Sequence, residues 1–342
     1  MLVDACLGVK LSQALPKVAV LMGGPDEEHD VSLVSGKAVS MALADKGYPV
    51  EEVTIDRANL WHFPGDDIPK SVGRALDRIR RDHDVVFIAL HGRTGEGGRI
   101  QGALELAEIP FTGSDQQASA ISMDKIISRH LYSQHGLPVA PGCGISPDDK
   151  GDPIEEARRI LKDYGPTIFV KPVDSGSSYG IELMHSESDL AQRIQAAREA
   201  GYPLLAEGKI RGEELTVAVL EDADGVRALP PVLIKPLNNA AFFTLEVKYD
   251  PEAVDEICPA PISDEMTASL IELGVKAHKA LGCRDFSRTD IMWSEDGPVL
   301  LETNTIPGLT PASLFPKSAA AAGIDFADLV AGLVENAMRR GA

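Results

Sequence analysis

Four polar residues near the end of the chain have the types and spacing of a metal-binding group. Arg288 and Asp290 lie two positions apart, and Glu302 and Asn304 repeat that spacing at the end of the next apolar run. In a β-strand, side chains two positions apart point to the same face. Carboxylate and amide oxygens suit Mg²⁺, which commonly bridges protein carboxylates and substrate phosphates. The spacing predicts a magnesium site, with surface salt bridges as the alternative.

A second group of residues could hold phosphate. Lys171 opens the segment KPVDSGSSYG, whose backbone amides and hydroxyls can close over phosphate oxygens. The segment is not a P-loop, because no Gly-Lys-Ser or Gly-Lys-Thr run follows its glycines. Lys125 and Lys171 would add compact positive charges. Taken singly, an ordinary turn and two surface lysines would explain the same pattern.

Alternating strands and helices would position these residues. The apolar run 17–22 ends at Gly23-Gly24 and is followed by a helical pattern over 31–46, and the run 85–90 stops at the loop HGRTGEGG. A strand, a glycine turn and a helix begin an α/β unit. The carboxyl ends of its parallel strands are where such folds bind ligands.

Two further helices are marked by residues at their ends. Ser122 is a suitable N-cap for a helix over 122–135. Asp152 followed by Pro153 predicts another helix start, and Gly165 predicts its end. We therefore expect two helices in the first half of the central part of the chain.

The remaining elements are mixed in order. Strands are predicted near 167–170, 203–206, 215–220, 232–234, 288–293 and 299–302, and helices near 188–200, 266–281 and 326–339. The predicted fold class is α/β, with α+β character in the central and C-terminal parts. Three units are predicted, over 1–120, 121–212 and 213–342.

Composition excludes several functional classes. At 342 residues the chain is long enough for two or three packed units, and its net charge of −19 argues against non-specific nucleic-acid binding. Its four cysteines form no CxxC pair, so reduced thiols are expected rather than a zinc site or a disulfide framework. The segment MLVDACLGVKLSQALPK has no long apolar run, so we expect neither a signal peptide nor a membrane span, and a cytoplasmic protein.

Together these motifs resemble the D-alanine–D-alanine ligases, members of the ATP-grasp superfamily. Eight stretches match in family order: GGPDEEHDVSLVSG, VFIALHGRTGEGGRIQG, FTGSDQQASAISMDK, VKPVDSGSSYG, RGEELTVAVL, LEVKYD, DFSRTDIM and LLETNTIPGLTPASL. The resemblance implies a three-domain ATP-grasp fold with an N-terminal open parallel-sheet domain. It also implies ATP-dependent joining of two D-alanine molecules through an acyl phosphate, for peptidoglycan precursor synthesis.

The resemblance also implies roles for the positions that face the amino-acid substrates. Glu28 would anchor the ammonium of the first D-alanine, with Ser177 and Tyr249 hydrogen-bonded to it. Arg288 and the N–H of Gly308 would face the developing oxyanion. His91 would lie beside the substrates, and Ser313 and Leu314 would receive the carboxylate of the second D-alanine. From the residues alone, Glu28 is better explained as a helix cap.

Nucleotide and metal positions follow in the same way. Lys125, Lys171 and Lys248 would contact the phosphates of ATP. Glu207, Glu214 and the backbone at Ile210 would hold adenine and ribose. The Mg²⁺ ligands would be Asp290, Glu302 and Asn304, with two ions expected, Mn²⁺ possible in their place and Asn304 also near the nucleotide.

The resemblance implies a homodimer that acts on D-alanine and ATP, with no nucleic-acid or membrane partner. A D-alanine–D-lactate ligase is one alternative, and Tyr249 tells against it. A catalytically silent ATP-binding regulator is the other, and the joint presence of Arg288, Asp290, Glu302 and Asn304 tells against that.

Overall fold

The N-terminal part of the chain forms a mainly parallel sheet. The computed structural model describes residues 14–176, 180–237 and 254–341. The first four strands are β1 (Val18–Gly23), β2 (Val50–Ile55), β3 (Trp61–His62) and β4 (Val85–Ile88). Their order is β3-β2-β1-β4, with β1 parallel to both β2 and β4, and β3 antiparallel at the edge. Strand β1 is buried along its whole length, which suits the central strand of a parallel sheet.

Six helices belong to this first part of the chain. They are α1 (His29–Asp45), α2 (Val72–Asp82), α3 (Gly92–Glu96), α4 (Arg99–Leu106), α5 (Gln116–Met123) and α6 (Lys125–Gln134). The predicted helix that ends at His135 is confirmed as α6, but its predicted cap, Ser122, is wrong. Asp124 has an extended backbone that ends α5, and its carboxylate accepts hydrogen bonds from the N–H groups of Ile126 and Ile127 at 3.0 and 2.9 Å. Asp124 is therefore the N-cap of α6, and Lys125 is the first helical residue.

A small antiparallel sheet with two helices follows. Its elements are β5 (Gly142–Ile145), α7 (Pro153–Tyr164), β6 (Ile168–Pro172), β7 (Glu182–Met184), α8 (Glu187–Ala200) and β8 (Leu204–Gly208). The strand order is β5-β8-β6-β7. The predicted start of α7 is confirmed, because the Asp152 carboxylate accepts a hydrogen bond of 2.9 Å from the N–H of Ile154. Gly165 ends the helix with a φ of +112°, which favours glycine.

The C-terminal part is built on a larger antiparallel sheet. Its elements are β9 (Glu213–Asp222), β10 (Gly225–Ala228), β11 (Val232–Pro236), β12 (Val254–Ile257), α9 (Asp264–Ala280), β13 (Phe286–Ser294), β14 (Gly297–Asn304), α10 (Leu314–Ala321) and α11 (Phe326–Arg340). The main path is β12-β11-β9-β13-β14, and β10 pairs with β9. Long strands β13 and β14 carry the polar residues singled out in the sequence.

The buried apolar residues of the described ranges form three clusters, and one of them is shared between the N-terminal sheet and the C-terminal sheet. Phe286 and Phe315 stack with their ring centroids 5.3 Å apart and belong to the same buried cluster as Val20 and Phe87 of the first sheet. The opposite face of the C-terminal sheet packs against α9 in a second cluster. The small sheet, α7 and α8 enclose a separate cluster.

A partly buried ion pair reinforces the contact between the first and third sheets. Asp285 accepts hydrogen bonds from the guanidinium of Arg340 at 2.6 and 3.2 Å and from the N–H of Gly113 at 2.7 Å. Arg340 also donates to the carbonyl of Phe111 at 2.7 Å. Because Phe111 and Gly113 belong to the N-terminal part, this group of hydrogen bonds links it to α11 and β13.

The predicted α/β class with later α+β character is confirmed by the three sheets. The division at residues 120 and 212 stays a prediction. Within the described ranges, no helix combines the length and apolar character needed to cross a bilayer.

Candidate active site

The two predicted polar pairs face each other on neighbouring strands. Arg288 lies opposite Asn304, and Asp290 lies opposite Glu302, in the antiparallel ladder of β13 and β14. Arg288 donates two hydrogen bonds of 2.8 Å, from Nε and Nη2, to the carboxylate of Asp290. Burial alone would lower the pKa of the Arg288 guanidinium, but the adjacent Asp290 carboxylate outweighs this and raises it. All four side chains share one face, as their spacing predicted.

A small cavity lies beside this face. It is lined by Glu28 and Glu96 of the N-terminal part, by Lys125 at the start of α6, by Gly176, and by Glu302. The Nζ atom of Lys125 is 3.5 Å from a carboxylate oxygen of Glu302. One cation among three carboxylates can bind both the carboxylate and the ammonium group of a small amino acid.

The Glu28 side chain reaches this cavity instead of capping α1. Glu28 occupies the N-cap position, but its side chain makes no capping hydrogen bond. A Cβ atom added to Gly176 would lie 2.9 Å from Glu28 Oε2, and one added to Gly92 would lie 3.2 Å from it. Glycine at both positions lets two loops approach the carboxylate closely. Glu28 therefore occupies the N-cap position that its local sequence indicates, but its side chain does not cap the helix by a hydrogen bond.

His91 is held at the end of the first sheet. It is 4% exposed, and its ring contacts Ser35 Oγ through Nε2 at 2.9 Å and Glu96 Oε1 through Nδ1 at 3.4 Å. Glu96 also accepts a hydrogen bond of 3.2 Å from the N–H of Gly92. His91 therefore meets the small cavity through Glu96, which lines it. Sequence reasoning missed Glu96, although it lies in the same glycine-rich loop.

Lys171 is part of a buried chain of charges. Its Nζ donates to Glu207 Oε2 at 2.8 Å, and the other oxygen of Glu207 accepts from Arg129 Nη1 at 3.0 Å. Burial lowers the pKa of Lys171, but the Glu207 carboxylate outweighs this and the pKa lies above its usual value. Lys171 therefore stays protonated. Arg129 was missed in the sequence, although its spacing of four from Lys125 places both on one face of α6.

A larger cavity of about 610 Å³ opens between the small sheet and the C-terminal sheet. Its walls include Leu233 and Met292, and polar groups of Glu214 and Lys235 lie at its edge, together with the segment around Ile210. Apolar walls with a few polar groups in a cavity of this size suit a ligand as large as a nucleotide. Ile210 and Glu214, to which the resemblance assigns the nucleotide, thus lie at the same cavity.

Three other predicted residues form a local group after β14. A Cβ atom added to Gly308 would lie 2.8 Å from Ser313 Oγ, so glycine allows the two segments to touch. Ser313 precedes α10, and its Oγ contacts Thr310 Oγ1 at 2.8 Å. Leu314 is the first residue of that helix, where backbone N–H groups favour anions. The group can receive a carboxylate.

The chemistry of the predicted metal ligands fits Mg²⁺. Asn304 Oδ1 accepts a hydrogen bond of 2.9 Å from the N–H of Ile306, and an amide oxygen has a second lone pair. Asp290 also accepts a hydrogen bond of 2.6 Å from Thr216. No group of three His, Cys, Asp or Glu side chains in the described part of the chain forms a ready metal cage. Mg²⁺ needs no such cage, because it commonly takes one or two carboxylates together with substrate phosphates.

Three predicted site residues, Ser177, Lys248 and Tyr249, lie outside the described residues. Five of the others, His91, Lys171, Glu207, Arg288 and Asp290, form the polar contacts described above, and the remaining nine fall into three places. Glu28, Lys125, Glu302 and Asn304 line the small cavity, Ile210 and Glu214 line the large one, and Gly308, Ser313 and Leu314 form the local group after β14.

Comparison with known sequences gives matches along most of the chain. The family model described as D-ala D-ala ligase C-terminus matches residues 131–335, and the one described as D-ala D-ala ligase N-terminus matches residues 64–114. The D-alanine–D-alanine ligase of Syntrophobacter fumaroxidans is 40% identical over 321 residues, which cover 94% of this chain and 97% of that protein.

Solved structures are similar over the same extent. The D-alanine–D-alanine ligase of Bacillus anthracis complexed with ATP has a TM-score of 0.75 and 27% identity, over 95% of this chain and 98% of that one. The D-Ala:D-Ser ligase VanG of Enterococcus faecalis has a TM-score of 0.82 and 29% identity, over 94% of this chain and 99% of that one. The overall fold is thus shared with these proteins.

Proposed function

The chain belongs to the D-alanine–D-alanine ligase family, and we propose that it joins two D-alanine molecules to D-alanyl-D-alanine while converting ATP to ADP and phosphate. One observation carries the proposal. Met292 of β13 lines the large cavity beside its strand partner Glu214. Asp290 lies two residues before Met292, and its own partner Glu302 lines the small cavity, so the two cavities are neighbours. An amino-acid carboxylate in one can therefore meet the terminal phosphate of a nucleotide in the other. The dipeptide is a component of peptidoglycan precursors.

The first step transfers a phosphoryl group. A carboxylate oxygen of the first D-alanine attacks the γ-phosphorus of ATP, and the bond to the β–γ bridging oxygen breaks to release ADP. The ammonium of this D-alanine is proposed to bind Glu28, and the cations of Lys125 and Lys171 offset the charge on the phosphates. Such a transfer depends on positioning and electrostatic stabilisation more than on covalent help from the protein.

The second step forms the peptide bond. The amine of the second D-alanine attacks the carbonyl carbon of the acyl phosphate, and phosphate leaves once the amine has lost a proton. We propose that Arg288 and the N–H of Gly308 stabilise the oxyanion that forms between these events. The second carboxylate would bind at Ser313 and Leu314. Water must be kept out, because it would hydrolyse the acyl phosphate.

Mg²⁺ is proposed as the cofactor, held by Asp290, Glu302 and Asn304. When bound, the ion neutralises charge on the phosphates of the nucleotide. This proposal is supported by the oxygen donors that the three residues bring to one face of β13 and β14. Mn²⁺ has the same preference for carboxylate, carbonyl and water oxygens and is expected to replace it.

The identity of the second substrate is tested by competition. Equal concentrations of D-alanine, D-lactate and D-serine are offered as acceptors with ATP and D-alanine, and the products are separated by mass spectrometry. We expect D-alanyl-D-alanine to dominate at neutral pH. A majority of ester would indicate a D-alanine–D-lactate ligase, and a majority of D-alanyl-D-serine would indicate that D-serine is the preferred acceptor. ATP binding without any turnover would indicate a catalytically silent ATP-binding regulator.

Further proposals rest on family membership alone. We propose a homodimer that works in the cytoplasm, with small molecules as its substrates and neither nucleic acid nor membrane as a partner. Light scattering across a concentration series tests the dimer, because a dimer of this chain has twice the mass of the 36.5 kDa monomer.

A further inference from the structure

Arg129 is a buried cation whose charge is fully engaged within the protein. Its side chain is 14% exposed, and that of Glu207, its partner, is 6% exposed. Arg129 Nη1 lies 3.0 Å from Glu207 Oε1, and Nη2 donates to the carbonyl of Ala140 at 2.6 Å. The guanidinium therefore joins α6 to strand β8 and to the segment that leads into β5.

Close packing around Arg129 leaves the guanidinium little freedom. A Cβ atom added to Gly142 would lie 3.0 Å from Arg129 Nη1, so any larger residue there would crowd the guanidinium. The fork of an arginine holds two acceptors in fixed directions, here a carboxylate and a carbonyl. Glu207 is therefore held in one orientation, with its second oxygen directed to Lys171.

The charges around Lys171 make this orientation important. Glu207 contacts Lys171 directly, and Glu302 and Glu214, which line the two neighbouring cavities, add further negative charge to this region. A polyphosphate entering this region would be repelled by that excess of negative charge. Arg129 compensates the charge of Glu207 from the far side, and the positive charge of Lys171 then remains available to an anion.

We propose that Arg129 is a positioning residue for the nucleotide, which acts through Glu207 to keep Lys171 available to the phosphates. The inference rests on the proposed function, because it requires a nucleoside diphosphate or triphosphate as the ligand. Arg129 is not assigned a contact with the nucleotide. Its effect should therefore depend on the charge of Glu207.

The test compares the affinity for ADP in a double-mutant cycle. Arg129→Met, Glu207→Gln and the double variant are titrated with ADP by calorimetry in buffer with and without magnesium. Arg158→Met is the matched control, because Arg158 is half-exposed and makes ion pairs only with Glu155 of α7 and Glu187 of α8 in the described part of the chain. Thermal unfolding of each variant checks that it is folded.

We expect Arg129→Met to weaken ADP binding about tenfold and Arg158→Met to change it less than about twofold. In the Glu207→Gln background, the same Arg129 substitution should cost less than about twofold. Arg129→Lys should restore part of the affinity, since it keeps the charge but not the fork. The KM for ATP should rise in Arg129→Met while the KM for D-alanine stays within about twofold.

Two results would overturn the inference while leaving the proposed function intact. One is an equal loss of ADP affinity in both backgrounds, which would mean that Arg129 acts through Ala140 or touches the nucleotide itself. The other is an unchanged affinity in folded Arg129→Met. Failure of the wild-type protein to bind ADP would instead contradict the proposed function.

Discussion

The guanidinium of Arg288 and the carboxylate of Asp290 form two parallel hydrogen bonds of 2.8 Å within a single strand. Charge-assisted pairs of this geometry are strong and fix the orientation of both groups. One member is proposed to meet the oxyanion, and the other is proposed to bind Mg²⁺. The two functions are therefore coupled, and a variant of either residue must be checked for both.

Arg288→Met should lower kcat by about 10²–10³, because the loss of one preorganised oxyanion donor costs about 2.7–4 kcal/mol. The KM for ATP should change little, since other residues are proposed to hold the nucleotide. Steady-state kinetics give both values. Calorimetry with ADP and Mg²⁺ is the control, and Thr216 should help to keep Asp290 in place. A kcat within a few-fold of wild type, with weakened ATP binding, would make Arg288 a nucleotide ligand.

Glu302→Gln should abolish Mg²⁺-dependent turnover and leave the chain folded. The substitution removes a carboxylate proposed to bind the ion, and the amide keeps the shape of the side chain. Glu295→Gln, in the exposed turn between β13 and β14, is the matched control and should behave like wild type. Turnover is measured across a Mg²⁺ titration, with circular dichroism as the check on folding. Wild-type ADP release by Glu302→Gln would remove this residue from the metal site.

His278 should make the protein less stable in mild acid. Burial lowers the pKa of His278 to about 4, whereas an unfolded histidine titrates near 6.5. The unfolded chain therefore binds more protons between these pH values, and the free energy of unfolding falls as the pH falls through this window. Between pH 7 and pH 5 the contribution of this group decreases by about 2 kcal/mol.

Urea unfolding of wild type and His278→Gln at pH 7 and pH 5 measures this contribution. The variant loses the contact of 2.8 Å with Ser287, so its free energy of unfolding at pH 7 should be lower than that of wild type. The difference between the two free energies should shrink at pH 5, because only wild type loses the contribution of His278. Replacement of the exposed His130 by Gln is the control and should leave the pH dependence unchanged. A gap between wild type and His278→Gln that stays constant with pH would contradict the prediction.

Asp285→Ala should destabilise the protein by about 3 kcal/mol, since it removes the acceptor of a partly buried ion pair and leaves the N–H of Gly113 unpaired. Asp285 also has a φ of +60°, which alanine adopts less readily than aspartate or asparagine. Asp285→Asn should therefore lose less. Urea midpoints of the two variants, with exposed Asp296→Ala as control, test this. Equal losses for Asp285→Ala and Asp285→Asn would contradict this prediction, because the whole loss would then come from the charge that both variants remove.

Local features of the sequence predicted the fold well where one signal was unambiguous. Asp152-Pro153 and Gly165 gave the limits of α7, because a cap, an N-terminal proline and a terminal glycine all agree. Ser122 and Asp124 are both good caps, and only the backbone conformation of Asp124 decides between them. Strand β2 (VEEVTI) was missed because its two adjacent glutamates interrupt the apolar pattern expected of a strand. It is stabilised by pairing with β1 along its whole length, which only the folded chain shows.

Contacts within the candidate site were predicted where the residues are close together on one strand. Contacts between residues far apart in the sequence were not predicted. Arg288 and Asp290 are two positions apart, so their common face follows from strand geometry. Arg129 and Glu207 are 78 positions apart, and only the folded chain brings them together. The approach of Gly176 to Glu28 is of the same kind. Family resemblance supplied Glu28, which its local sequence alone would have assigned to a helix cap.

The shared core of the first and third sheets has a mechanical consequence. A close-packed core cannot be divided without exposing apolar surface, so these two sheets and α11 must move as one rigid body. The small sheet, with its separate core, is then the part that can rotate to admit and release ligands. Glu28, Arg288 and Glu302 keep their mutual distances during such a rotation, whereas Lys171 travels with the small sheet. The cation proposed to bind phosphate would thus be carried to and from the proposed amino-acid site, which stays fixed.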